Sequence, residues 1–515
     1  MAPGVALRPP AFSLAKIHFF MSDLSPPTPA SDSPGHFKRA LTLFDAVMLV
    51  TGSMIGSGIF LVSADIGRQV GGAGWLLVVW LLTGLITMAG AISYGELAAM
   101  FPKVGGQYVY LREAFGRLVA FLYGWTLFLV IQTGVIAAVA VAFANYTGVL
   151  VPWFSSKHIL LRIGSFQVST VQLLAIGLIV AITAVNARGV QAGKLIQNVL
   201  SSTKLVALAL LILFGLALGL NQEAVQANFH DLWTPTRSPE SGGAGLVQVL
   251  GAGGLVIAIG TAMKGSLFSS DSWNNIGFAG EEIQNPERTL VRSMAIGTAI
   301  VTALYILINV VYLLVLPLKG SPDATTLMGR GIQYAQDDRV ATAVAEVVMG
   351  PKGAVLLAVL IMLSTFGANN GIILSGARAY YAMAKDGLFF PSLARLNRAG
   401  VPGVALWVQC LWACLLCLSG SYNTLLNYVM FSVILFYLIT IIGIFVLRRT
   451  RPDAPRPYRA WGYPVLPGIY VVLASAFCLI LLIAPDTAQA AGIGLGLVAL
   501  GLPVYLLFGR RMGNG

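Results

Sequence analysis

Thr51-Gly52-Ser53-Met54-Ile55-Gly56-Ser57-Gly58-Ile59-Phe60 lies inside an apolar run of transmembrane length, from Leu41 to about Val62. A helix in hydrocarbon must satisfy its own backbone, and glycine in a helix interior costs roughly 1 kcal/mol relative to alanine. Three glycines and three hydroxyls in such a run therefore have two readings. Gly52 and Gly56, four apart, fit close packing of small residues between helices. Equally, the helix opens here and lines a wet cavity, the one setting in which irregular backbone is tolerated at membrane depth. A second interruption favours the cavity. The sixth apolar span carries Gly265-Ser266-Leu267-Phe268-Ser269-Ser270-Asp271-Ser272-Trp273-Asn274-Asn275. A pore-lining helix would show its polar residues as a stripe; a contiguous block around an aspartate predicts an unwound segment. Breaks in the first and sixth spans are the pattern of two inverted five-helix repeats with a binding site at mid-membrane between them.

Composition agrees with this. With 57% hydrophobic residues, 10% charged and a mean hydropathy of +0.81, the chain is an all-α integral membrane protein. About twelve apolar spans of adequate length are expected, the first near 43–65 and the last near 488–508. Residues 1–40 form a Pro- and Ser-rich tail expected to be disordered. A ten-helix core is expected over 41–447, a basic loop over 448–463, two further spans over 464–508 and a terminal stretch over 509–515. With the N-terminus inside, about two thirds of the 32 lysines and arginines fall on inner segments, the positive-inside signature, which places both termini in the cytoplasm. The net charge of +12 thus reports topology, and no nucleic-acid partner is expected.

Cys410, Cys414, Cys417 and Cys478 all fall in spans. The spacing of the first three is that of packing thiols on one helix face. None of the four histidines falls in a span, which excludes a histidine proton relay, and no metal or cofactor is expected. Glu96, at the end of the second span, reads as an ion-pair partner rather than a proton carrier. Glu281 and Glu282 are expected to pair with basic loops and close the inner side. Lys204 lies about seven residues into the fifth span, roughly 10 Å along a helix. It either snorkels to the interface or serves function, the default for an intramembrane lysine.

Taken together, the motifs resemble the amino acid–polyamine–organocation (APC) superfamily, and within it bacterial permeases close to the L-type amino acid transporter (LAT) family. Gly52 to Phe60 matches the first-helix motif, and Ser93 to Gly116 the second-helix and first-loop signature. Phe268 to Asn274, followed by Glu281-Glu282-Ile283-Gln284-Asn285-Pro286-Glu287-Arg288, matches the sixth. The resemblance implies a LeuT-like 5+5 inverted repeat in a plasma membrane. It also implies that backbone N–H groups of Gly56, Ser57 and Gly58 hold a substrate α-carboxylate at a half-helix N-terminus. Carbonyls of Ser53, Met54 or Ile55 and of Phe268, Ser269 or Ser270 would take the α-ammonium, with Phe268 as the gate. Lys204 matches the fifth-helix lysine whose ammonium replaces a sodium ion, bridging first-helix carbonyls to a hydroxyl of the eighth helix, for which Ser364 is the candidate.

Two departures stand out. The sixth-helix break reads Ser270-Asp271-Ser272 where an aromatic residue followed by Gly-Gly or Asp-Gly is common, which enlarges or rewets the pocket. The loop from Val151 to Gln167 lacks the cysteine that metazoan light chains use to join a heavy chain, so no disulfide-linked heavy chain is expected. The expected function is sodium-independent transport of neutral L-amino acids, as an exchanger or proton symporter. Asp271 leaves room for a cationic amino acid or polyamine instead, and a non-transporting sensor remains an alternative. A channel would need an aligned polar stripe, and an enzyme a buried His, Cys or carboxylate cluster; the spans show neither.

Overall fold

The computed structural model describes residues 41–509 apart from 104, 164–165, 190–192, 240–246 and 419–421. The tail over 1–40 and the last six residues lie outside the described residues. The first half of the chain forms α1 (Leu43–Met54), α2 (Gly58–Val70), α3 (Ala73–Met100), α4 (Gln107–Phe115), α5 (Arg117–Leu150), α6 (Thr170–Ala187), α7 (Gly193–Leu218) and α8 (Gln222–Phe229). The second forms α9 (Ala252–Ser269), the 3-10 helix α10 (Trp273–Glu282), α11 (Pro286–Val315), α12 (Val340–Lys385), α13 (Gly403–Cys417), α14 (Tyr422–Thr450), α15 (Val465–Ile483) and α16 (Ala488–Val504). Two short antiparallel hairpins interrupt the helices: β1 (Ile159–Ile163) with β2 (Phe166–Ser169), and β3 (Thr236–Arg237) with β4 (Gln248–Val249).

Among the described residues, nine helices have the length and hydropathy to cross a bilayer, or up to eleven if each of two bent pairs is one span. The remaining expected span, α13, has 15 residues. At 1.5 Å per residue it measures about 22 Å, short of a hydrocarbon core about 30 Å thick. The architecture is the LeuT-like one, with its two broken helices in corresponding positions.

Local chemistry sets both breaks. A capping box starts α1: Asp45 N–H donates to Thr42 Oγ1 at 3.3 Å, and Thr42 N–H to Asp45 Oδ2 at 2.9 Å. The helix stops where Ile55 turns extended, and α2 resumes at Gly58 with the axis bent by 44°. Gly58 has no alternative here, because a Cβ on it would lie 2.0 Å from Ser269 Oγ. In the sixth span the helix persists through Ser269, so unwinding is confined to 270–272 and is narrower than the polar block. Ser272 has φ +68°, a left-handed conformation that a glycine would hold without strain.

We call the face where α1 begins the inner face, following the charge asymmetry. There Leu41 N–H donates to Glu282 O at 3.0 Å and Gln284 N–H to Leu41 O at 2.9 Å, tying α1 to the end of α10. On the same face, Glu96 accepts from Arg448 Nη2 at 2.6 Å and from Ala460 N–H at 2.7 Å, and forms an ion pair with Arg456 across 3.3 Å. This is the ion-pair role expected of it. Glu282 pairs with Arg378 of α12 at 3.1 Å, a helix rather than a basic loop.

Candidate functional site

The two breaks face one another across a cavity of about 330 Å³ lined by Ser53, Met54, Gly56, Gly58, Phe268, Ser269, Asp271 and Ser272, with Val135, Val139, Ala368 and Ile372 behind them. Space beside Gly56 is open, with no heavy atom within 4 Å of where a Cβ would stand. A second cavity of about 400 Å³ adjoins it, sharing Val135, Asp271, Ser272 and Ile372. Its wall adds Gln107, Tyr123, Gln132, Asn274, Asn275 and Tyr437. Of the expected residues, Ile55, Ser57 and Ser270 are buried without lining the first cavity.

The first N–H groups of α2 have no acceptor within their own helix, and the positive end of its dipole points toward the cavity. Gly56 N–H does not join them: it donates to Met54 O at 2.9 Å. The carbonyl ends are partly occupied too. The Tyr305 hydroxyl from α11 stands 3.2 Å from Met54 O and 2.9 Å from Ser269 O, bridging the last turns of α1 and α9. Sequence reading missed this tyrosine, because in an apolar helix it looks like packing. Phe268 lines the cavity and is buried.

Lys204 is fully enclosed, and its ammonium donates to Gly52 O on α1 at 2.7 Å. It does not snorkel. Ser364 is also buried, yet its Oγ has no hydrogen-bond partner, so the expected bridge is made at the α1 end alone. Asn369, five residues further along α12, has both amide atoms buried without partners among the described residues. Asp271 accepts from the Tyr437 hydroxyl at 2.6 Å, and among the described residues no basic side chain pairs with it. The lining of the second cavity owes part of its shape to a π-helical turn in α5, Leu127–Ile131, where Thr133 Oγ1 donates five residues back to Phe128 O at 2.7 Å. Such turns often mark functional sites, and no residue pattern announced this one.

The site has no cluster of His, Cys, Asp or Glu suited to a metal among the described residues. Its groups are N–H donors, carbonyls, hydroxyls and the Asp271 carboxylate, which together can hold a zwitterion. A family model described as amino acid permease matches residues 41–502. The chain belongs to the amino acid permease family. This permease is 31% identical over 489 residues to the large neutral amino acids transporter small subunit 2 of Mus musculus, covering 94% of this chain and 84% of that protein. The Homo sapiens counterpart is 31% identical over 487 residues, with 94% and 83% covered. The b(0,+)-type amino acid transporter 1 of Mus musculus is 30% identical over 455 residues, with 88% and 84% covered. The permease is thus an amino acid transporter of the APC superfamily, related to the LAT family, and not an enzyme.

Proposed function

We propose that this permease is a sodium-independent secondary transporter of neutral L-amino acids, working by alternating access across the plasma membrane with both termini in the cytoplasm. The observation that carries the reading is Lys204 Nζ at 2.7 Å from Gly52 O. A fixed ammonium beside the α1 break supplies the positive charge that a sodium ion would otherwise bring to these carbonyls. The N–H groups of Ser57 and Gly58 receive the substrate carboxylate, and carbonyls among Ser53, Met54, Ile55, Phe268, Ser269 and Ser270 receive the ammonium. Ser364 is the second acceptor for Lys204 in another state of the cycle, and the coupled movement is either a counter-transported amino acid or a proton.

A second reading has its own observation. Asp271 is a buried carboxylate on the cavity wall with a tyrosine hydroxyl and, among the described residues, no basic partner, which favours a cationic substrate. The relatives named as small subunits belong to larger assemblies by that name. In this chain the cysteines sit on α13 and α15, three of them buried, so we propose that no heavy chain is joined by a disulfide.

The test is uptake of a radiolabelled amino-acid panel into proteoliposomes, with and without internal amino acid, an inward proton gradient, and sodium. Neutral substrates taken up equally in sodium and choline support the reading, and stimulation by internal substrate or by the proton gradient identifies the coupling. Uptake of cationic substrates alone favours the second reading; binding without uptake overturns transport.

A further inference from the structure

The outer half-helices carry a charged network that the substrate site does not use. Lys264, one turn outward of Phe268 on α9, lies 3.6 Å from Asp65 on α2, and both side chains are buried. Arg68, one turn along α2, sits 3.9 Å from Asp65 and turns its guanidinium the other way. It holds Asp338 with two hydrogen bonds, at 2.7 and 3.1 Å, and donates to Gln333 O at 2.5 Å. Gln333 returns a hydrogen bond to Gly67 O at 2.9 Å.

Gln333 and Asp338 belong to the segment between α11 and α12, which crosses the outer face. Its residues Ile332, Gln333, Tyr334 and Ala335 are buried. The far end of this strap is anchored as well: Arg339 pairs with Asp337 at 3.0 Å and donates to Asn145 O of α5 at 3.1 Å. Asp337 and Asp338 both have positive φ, 51° and 59°. Consecutive non-glycine residues in that region are strained and persist only when surrounding contacts hold them. For Asp338 the holding contact is the bidentate grip of Arg68, the strong form of a charged hydrogen bond.

We propose that Arg68 is a positioning residue for outer closure. It fastens the strap to α2, and through Asp65 and Lys264 the fastening reaches the helix that carries Phe268. Outer closure is thereby one cooperative event, in which strap, α2 and α9 move together. The proposal rests on the transport reading for its functional meaning, while the latch itself is a property of the folded chain. Releasing it shifts the population toward the outward-open state. External substrate then meets a larger fraction of binding-competent protein, which lowers the apparent KM, while closure loses stabilisation and kcat falls.

The first measurement needs no substrate. Ala335→Cys places a thiol on the buried side of the strap, and its reaction with a water-soluble thiol reagent is timed in detergent-purified full chain against the parent, which carries only the native cysteines. Adding Asp338→Asn, or Arg68→Lys, raises the labelling rate by at least about tenfold, as loss of a charged hydrogen-bond pair predicts; Asp338→Glu stays near the Ala335→Cys rate. In proteoliposomes the same two disruptive substitutions, without the cysteine, lower KM and kcat together. Labelling unchanged within about twofold, as for an energetically idle surface pair, overturns the latch. A fall in uptake that merely tracks protein yield, with KM constant, also overturns it. Faster labelling in a chain that transports nothing keeps the latch and removes the transport reading.

Discussion

Lys204 and Gly58 carry the sharpest expectations at the scale of single residues. Lys204→Ala removes the ammonium bound at the α1 break and leaves Gly52 O without that donor. Uptake in proteoliposomes should fall to background, or lose its coupling, while the protein keeps its gel-filtration profile; undiminished, still-coupled uptake removes Lys204 from the mechanism. Gly58→Ala places a methyl 2.0 Å from Ser269 Oγ and 2.8 Å from its Cβ, so α2 and α9 must part. Overpacking of this kind costs about 1–3 kcal/mol, and thermal unfolding should show it together with a loss of uptake. Wild-type stability in that variant would mean that the two outer half-helices are not in contact there. Lys204 was legible in the sequence because a lysine that deep in an apolar span breaks the local pattern. Tyr305 was not, since one hydroxyl among apolar residues carries no sign of what it will meet.

The broken helices were legible at the scale of elements for the same reason: glycine, serine and aspartate at membrane depth contradict the helix around them. Their extent was less so. Serines that look like loop residues in sequence stay helical through Ser269, because Ser266 and Ser269 hydroxyls donate back to Met263 O and Gly265 O within the helix. The short helix α4, buried over Gln107–Leu111, is a separate case. Its Glu113 binds Arg112 at 3.2 Å and Arg451 at 2.9 Å, while Arg112 also pairs with Asp386. Partial burial pushes the Glu113 carboxyl up, but Arg451 and Arg112 outweigh it and hold its pKa below the ordinary 4.5. A folded-state pKa lowered in this way contributes stability that is present above about pH 4.5 and lost as pH falls through the folded value. Glu113→Gln should therefore lower the unfolding temperature at neutral pH and flatten its decline in acid. An acid decline identical to that of the parent would show that the pairs of Glu113 with Arg112 and Arg451 contribute nothing.

Taken as a whole, the molecule is organised as two pairs of half-helices around the cavity between the two breaks. The outer pair, α2 with α9, meets through Gly58 and Ser269 and through Gly265 and Val62. The inner pair, α1 with α10, meets through the backbone exchange at Leu41. Alternating access needs such a division, since each pair can part while the other stays closed. The sequence carried this plan through the position of its two breaks. It did not carry the strap, because Arg68 and Asp338 are 270 residues apart and each alone reads as a solvated loop charge. Nor did it carry the shortness of α13, which hydropathy alone extends past Cys417.

The bridge made by Tyr305 has a further consequence. A hydroxyl has a single proton, yet here it stands within reach of two carbonyls, Met54 O and Ser269 O. Its proton serves one of them at a time, and Met54 O has a second donor in Gly56 N–H at 2.9 Å, so the hydroxyl is freer to serve Ser269 O. An ammonium brings three donors. In the proposed reading a substrate ammonium between these carbonyls donates to both at once, and binding should slow amide exchange at the ends of α1 and α9.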